Sequence, residues 1–422
     1  MNSRILSGSV TAAVAAGMMS SAMAAFHATS EKAVEQAHAE LCGRLLSPEG
    51  VLWDYVGEIP TPKDCEECRP NAMGWWSPIE NGPMFTGPWL ASMAAKATRT
   101  GAAEDRDLCR RLADGLLLLA SVSDEPGMVV RGVGTDGRCH LPIGSLDQTL
   151  PWYFGLYVYW RSGLADDEQA GRIRDKMLEV AMAMEANGWR VPADGCFRGH
   201  TCGDFTNNEL VFRGATHYLF LLRALADMTG DPAWMAKYEK ARREPCTPAP
   251  VLREDICAAG CLVDRGKYDC DGMGVWIYLA AQGCLAELHR METDPAVKAK
   301  YRLGLDRTAD AVRPTMEWSE EWRNTREEPF RYANWRTGYR WKEQKTHREA
   351  VEVACTGNPE VLGTRKDLER RQVSCPLSAA AICAYAGKYR GEIAETLCRY
   401  DYSTVNISEF FAAEIAWWGI PD

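Results

Sequence analysis

The chain has 422 residues, 46% of them hydrophobic, enough to bury a large core as one big domain or two ordinary ones. Its formal net charge of −10 speaks against nucleic acid, whose binding rests on cations set against phosphates, and gives no support for an anionic membrane surface. An acidic ligand would need a local basic pocket in this acidic protein.

Residues 1–25 read as a secretory signal: Arg4, then an uncharged apolar run closing on the small-residue site Ala22-Met23-Ala24. The expectation is a soluble, exported protein (secreted or periplasmic), with residues 26–422 forming a single domain. In an oxidising compartment the 16 cysteines read as disulfide candidates. Cys65-Glu66-Glu67-Cys68 and the run Cys257, Cys261, Cys270 lack a His at ligand spacing, so loop disulfides are preferred to zinc. Their connectivity is open.

In chain order, residues 29–46 show helical periodicity through Ala33, Ala37, Leu41 and Leu45. A Pro-, Cys- and Trp-rich loop follows. Then a pattern repeats: an apolar helix, a short turn carrying Gly or Asp-Pro, and a more charged helix. The helices expected at 88–98, 150–161, 213–228, 274–291 and 377–385 each lead to such a turn and a second helix. Residues 408–418 and 29–46 supply a sixth pair. Spacing of this kind predicts an all-α repeat architecture, with an (α/α)6 toroid of six helical hairpins as first choice and an open solenoid as the alternative. Strand signals are sparse; residues 128–133 read as one arm of a small loop hairpin.

The loops feeding the first helix of each pair are long, at 46–87, 122–146, 188–212, 245–273 and 318–375, and would gather on one face. They carry Trp76, Glu80 and Asn81; Arg131, His140 and Asp147; His200 and Glu209; and Trp335, Arg336 and Tyr339. Ser145 and Gln148 form a capping-box pattern, which would free Asp147 to project from the first helical turn. Asp147, Glu80 and Glu209 each stand just ahead of an apolar helix, so the fold would bring three carboxylates round one cavity. A proton donor and a second carboxylate are what glycosidic cleavage uses. Trp rings among Asn, Asp, His and Arg suit a sugar, whose faces stack while its hydroxyls bond. Trp76 and Trp335 are the expected platforms, with Arg131 and Arg336 as carboxylate clamps. No serine-nucleophile, phosphate-loop or dinucleotide motif is present.

The stretch Gly144-Ser145-Leu146-Asp147-Gln148-Thr149-Leu150-Pro151-Trp152-Tyr153-Phe154-Gly155, with Glu80-Asn81-Gly82-Pro83-Met84 ahead of an earlier helix, resembles the six-hairpin (α/α)6 glycosidases. The nearest in kind are unsaturated glucuronyl and rhamnogalacturonyl hydrolases and β-glucuronidases of similar fold. The resemblance implies a glycoside hydrolase acting on a uronic-acid-containing saccharide, with Asp147 as general acid and no metal or cofactor. Where the unsaturated-sugar hydrolases carry a second aspartate, this chain reads Glu80-Asn81, so hydrolysis of an ordinary glucuronide stands beside hydration of an unsaturated one. Two further readings stay open. A lyase of the same toroid type would use His200 or Tyr339 as base, and a glycan-binding protein would need no acid at all.

Overall fold

The computed structural model describes residues 25–206, 211–246, 250–264, 274–320, 322–325, 335–336, 341–356 and 368–419. The chain is mostly helical, at 64%. Fifteen α-helices are described: α1 (Ser30–Glu40), α2 (Pro62–Glu66), α3 (Gly82–Thr100), α4 (Ala103–Leu119), α5 (Leu146–Arg161), α6 (Asp167–Ala186), α7 (Phe212–Thr229), α8 (Pro232–Arg242), α9 (Arg253–Ala259), α10 (Ile277–Met291), α11 (Pro295–Val312), α12 (His347–Thr356), α13 (Cys375–Tyr385), α14 (Arg390–Cys398) and α15 (Ala412–Trp418).

The turn chemistry explains why the chain folds back where it does. Gly101 and Gly230 end α3 and α7 in the left-handed region (φ 65 and 66), which costs a residue with a Cβ more than it costs glycine. Asp231 and Asp294 then cap α8 and α11, accepting the Ala233 and Ala296 N–H groups at 2.8 and 2.9 Å, with Pro232 and Pro295 at the first helical position. Helices α3, α5, α7, α10 and α13 pack against their successors α4, α6, α8, α11 and α14, and α15 packs against α1.

The core lies between the more apolar helices. Trp89, Trp152, Phe154, Leu221, Leu285 and Ile382 are fully or almost fully buried there. Buried indoles keep their N–H satisfied: Trp152 Nε1 donates to the Leu116 carbonyl at 2.7 Å and Trp89 Nε1 to Glu414 Oε1 at 3.0 Å. Helices α3 and α5 cross in backbone contact, because a Cβ on Gly87 would collide with the Pro151 carbonyl and one on Gly155 with Gly87.

Two expectations fail locally. Residues 128–133 form no strand; the segment is buried and serves as a strut, with Val130 N–H donating to the Leu119 carbonyl and Gly82 N–H to the Arg131 carbonyl, both at 2.9 Å. The strands lie further on, as the antiparallel pairs β1 (Arg190–Pro192) with β2 (Thr201–Asp204) and β3 (Pro245–Cys246) with β4 (Val251–Leu252). The second failure is the capping box. Ser145 is the N-cap of α5, but its hydroxyl is buried without a hydrogen-bond partner. Gln148 turns sideways instead, donating to Asn81 Oδ1 at 2.9 Å and accepting the Met84 N–H at 3.3 Å. A bond across to α3 wins over the local cap because it ties together the first turns of two packed helices.

No helix among the described residues is long and apolar enough to cross a membrane. The described cysteines are free thiols.

Candidate active site

Asp147 sits in the first turn of α5, where the helix dipole favours a carboxylate. Its side chain is 37% exposed, and Oδ1 accepts a hydrogen bond from Arg213 Nη1 at 2.6 Å. Arg213 occupies the first turn of α7, where a cation opposes the dipole; the Asp147 carboxylate offsets that cost. Together with His217, Trp276, Ser378 and Glu409 the pair lines a cavity of about 30 Å³, room for about one water. Anything larger than a water molecule therefore has to sit above this floor, against the exposed side of Asp147. Cavities of about 760 and 660 Å³ share no lining residue with it.

His217 lies one turn after Arg213 and is 3% exposed, with neither ring nitrogen hydrogen-bonded. Burial, and then the neighbouring Arg213 charge, hold its pKa down at about 3, so it is neutral at ordinary pH.

Glu409 is 6% exposed. Arg370 grips its Oε1 with Nη2 at 2.6 Å and Nε at 2.9 Å, and the Ser374 hydroxyl donates to Oε2. Burial works against the Arg370 charge, but Glu409, then Glu80 and Asp54, hold the guanidinium firmly protonated. Glu80 thus shares a field with Glu409, and its own Oε2 accepts the Trp76 N–H at 2.9 Å.

A second cluster adjoins Asp147. Arg131 is buried at 6% exposure, its Nε donating to the Ile143 carbonyl at 3.1 Å and Nη1 to the Glu80 carbonyl at 3.2 Å. It has no carboxylate partner among the described residues, so guanidinium donors remain for a ligand. Cys202 Sγ lies 3.2 Å from His347 Nε2. Burial pushes the Cys202 thiol up, with Arg131 opposing and Asp147 reinforcing. Burial, then the charges of Arg131 and His200, pull the His347 imidazole down. Arg131 thus lies within electrostatic reach of both Cys202 and His347, Asp147 within reach of Cys202, and His200 within reach of His347.

Other expected residues are placed elsewhere. Asn81 is buried with its amide committed to Asp54 Oδ2 at 2.7 Å and to Gln148, a structural tie. His140 pairs with Asp194 Oδ2 at 2.7 Å beside a different cavity. Burial lowers its pKa, but the bonds to Asp194 and the Arg138 carbonyl more than offset this, and the pKa is raised. Trp335 is 3% exposed and donates to the Glu58 carbonyl at 3.0 Å, so it offers no open stacking face. Arg336 stacks on Trp335 at 4.2 Å and pairs with Asp64 at 3.1 Å and with Glu58. Neither Trp335 nor Arg336 lines the Asp147 cavity. Trp76 is half-buried, in the left-handed region (φ 74), and donates from Nε1 to the Ala354 carbonyl at 2.8 Å. Glu209 and Tyr339 lie outside the described residues.

Arg213, His217, Arg370, Glu409 and His347 are absent from the residues singled out in the sequence. Glu409 stands just ahead of α15, as Glu80 does before α3, and the same rule would have found it. Arg213 was signalled by a cation in the first turn of an otherwise apolar helix. No group of three or more metal-type side chains that could hold an ion occurs among the described residues. Compared with known proteins, the chain matches no family model, no curated protein and no solved structure.

Proposed function

We propose that this protein is a glycoside hydrolase acting on uronic-acid-containing saccharides, built as a closed ring of six helical hairpins. The ring is supported by the packing order of the apolar helices: α3 on α5, α5 on α7, α7 on α10, α10 on α13, α13 on α15, and α15 back on α3. The observation that carries the function is the Asp147 carboxylate, partly exposed and held by Arg213 over a mostly apolar cavity that Glu409 also lines.

Asp147 and Arg213 neutralise each other. A uronate carboxylate entering the site competes for the Arg213 guanidinium, with Arg131 as a second anchor. The released Asp147 carboxylate takes a proton from solvent and gives it to the leaving glycosidic oxygen, while water adds at the anomeric carbon and passes its own proton to the Glu80 carboxylate. Glu80, which does not itself line the floor cavity, is the proposed second carboxylate; the alternative, Glu209, lies outside the described residues. Glu409, locked to Arg370 and Ser374 as a neutralised ion pair, closes the floor and takes no part in proton transfer.

The test is turnover of a panel of glucuronides, unsaturated uronyl oligosaccharides and matched neutral sugars. Asp147→Asn is expected to abolish cleavage and to leave binding; cleavage at the wild-type rate sinks the assignment. A lyase is the second reading, favoured by the neutral His347 beside Arg131. Growth of an ultraviolet-absorbing unsaturated product, in place of its loss or of simple sugar release, would decide for it. Binding without turnover would leave a glycan-binding protein.

A further inference from the structure

His140 and Asp194 share a cavity of about 520 Å³ with four cysteines: Cys65, Cys68, Cys139 and Cys196. The four part into two groups. Cys139 packs against the small apolar cluster that holds Cys65, whereas Cys68 belongs to a separate cluster, and the remaining cysteine on the cavity wall, Cys196, is its electrostatic neighbour. Each pair joins different loops. Cys65 lies in α2, whose start is fixed by a reciprocal cap between Thr61 and Asp64. Cys68 follows in the left-handed region (φ 53), a rare conformation for a residue with a side chain. Cys139 closes a turn in which Gly134 N–H donates to the Cys139 carbonyl at 2.7 Å and Asp136 accepts the Cys139 N–H at 2.7 Å. Cys196 sits exposed in the helical turn Gly195–Phe197.

We propose that Cys65–Cys139 and Cys68–Cys196 are the two disulfides of this region in the mature protein, made by exchange with a disulfide-bearing oxidant. This assignment stands apart from the glycosidase reading. In each bond the thiolate of the more accessible cysteine, Cys139 or Cys196, attacks a sulfur of the oxidant's disulfide and expels its other sulfur as a thiolate. The thiolate of Cys65 or Cys68 then attacks the protein sulfur of the mixed disulfide, and the oxidant leaves with its second thiolate. The two protein thiols give up two electrons and two protons, and the oxidant's disulfide becomes a dithiol. Burial holds the Cys65 and Cys68 thiols above their ordinary range, which fits exchange that begins on the solvent side.

Zinc is the competing use of four cysteines. Tetrahedral coordination needs all four sulfurs at bonding distance from one point, whereas these pair off, and no three ligand side chains are grouped to hold an ion among the described residues. A Cys65–Cys68 bridge is the other competitor, yet each of these thiols meets a different loop. The consequence of the proposed pairing is mechanical. Residues 46–81, 122–146 and 188–206, which carry Glu80, Arg131 and Cys202, become one riveted body behind the site.

The test uses the full mature chain recovered from an oxidising compartment. Free thiols are alkylated without reduction, and the protein is cut after glutamate; Glu66 and Glu67 separate Cys65 from Cys68. The expected result is two linked peptide pairs, Cys65 with Cys139 and Cys68 with Cys196. Four alkylated cysteines, a Cys65–Cys68 bridge, exchanged partners, or one zinc per chain released on alkylation would each overturn the proposal. Cys139→Ser and Cys196→Ser should newly expose Cys65 and Cys68, respectively, to alkylation and lower Tm by about 2–5 °C each. Should either variant fail to fold, the wild-type map decides.

Discussion

Replacing His217 with leucine removes an imidazole that the folded protein keeps neutral, at nearly the same volume. His217 is 3% exposed, and burial followed by the Arg213 charge holds its pKa at about 3. In the unfolded chain the same ring titrates near 6.5. A histidine whose folded pKa is lowered binds its proton in the unfolded state first. Its influence on stability is therefore nil above about pH 6.5 and increasingly unfavourable as pH falls toward 3, by about 1.4 kcal/mol per pH unit. Between pH 6.5 and 4.5 that amounts to about 2–3 kcal/mol. The assay is urea unfolding of wild type and His217→Leu at pH 7 and at pH 4.5. Both proteins lose stability through their shared carboxylates, and the difference between the two losses isolates His217. Wild type should lose about 2–3 kcal/mol more than the variant over this window. At pH 7 the variant should be at least as stable as wild type, because two unpartnered buried nitrogens are gone. Equal losses in the two proteins would refute the buried, neutral imidazole.

Three other perturbations probe different parts of the molecule. Glu409→Gln leaves the half-buried Arg370 guanidinium without its nearest charge partner and should cost about 2–3 kcal/mol in urea unfolding; a loss under about 1 kcal/mol would mean water already screens that pair. Arg213→Gln should raise KM for uronate substrates about tenfold or more while leaving neutral sugars nearly unchanged; an equal effect on both would remove Arg213 as the carboxylate anchor. Gly87→Ala should destabilise by about 1–3 kcal/mol by forcing α3 off the Pro151 carbonyl, despite alanine's better helix propensity; a gain in Tm would contradict the backbone contact.

Helix positions, turn chemistry and the placing of Asp147 and Glu80 ahead of apolar helices were legible in the residues, because apolar period, glycine ends and aspartate caps act over a few positions of chain. Sequence expectation and structure agree on the turns at Gly101, Gly230 and Asp294. The partners of the polar loop residues were not legible. Arg336 was expected to clamp a substrate carboxylate and instead holds Asp64, while Trp335 donates to the Glu58 carbonyl, both contacts between distant parts of the chain. Gln148 left the local capping box for Asn81 on another helix. Arg213, Glu409 and His347 joined the site for the same kind of reason. An ion pair or a hydrogen bond between residues from distant segments depends on where two helices are brought by the whole core, and residue type alone does not encode that. The order of α-helices came from local periodicity; the choice of which charged groups face one another came from packing, since burying a charge requires a partner only the assembled fold can deliver.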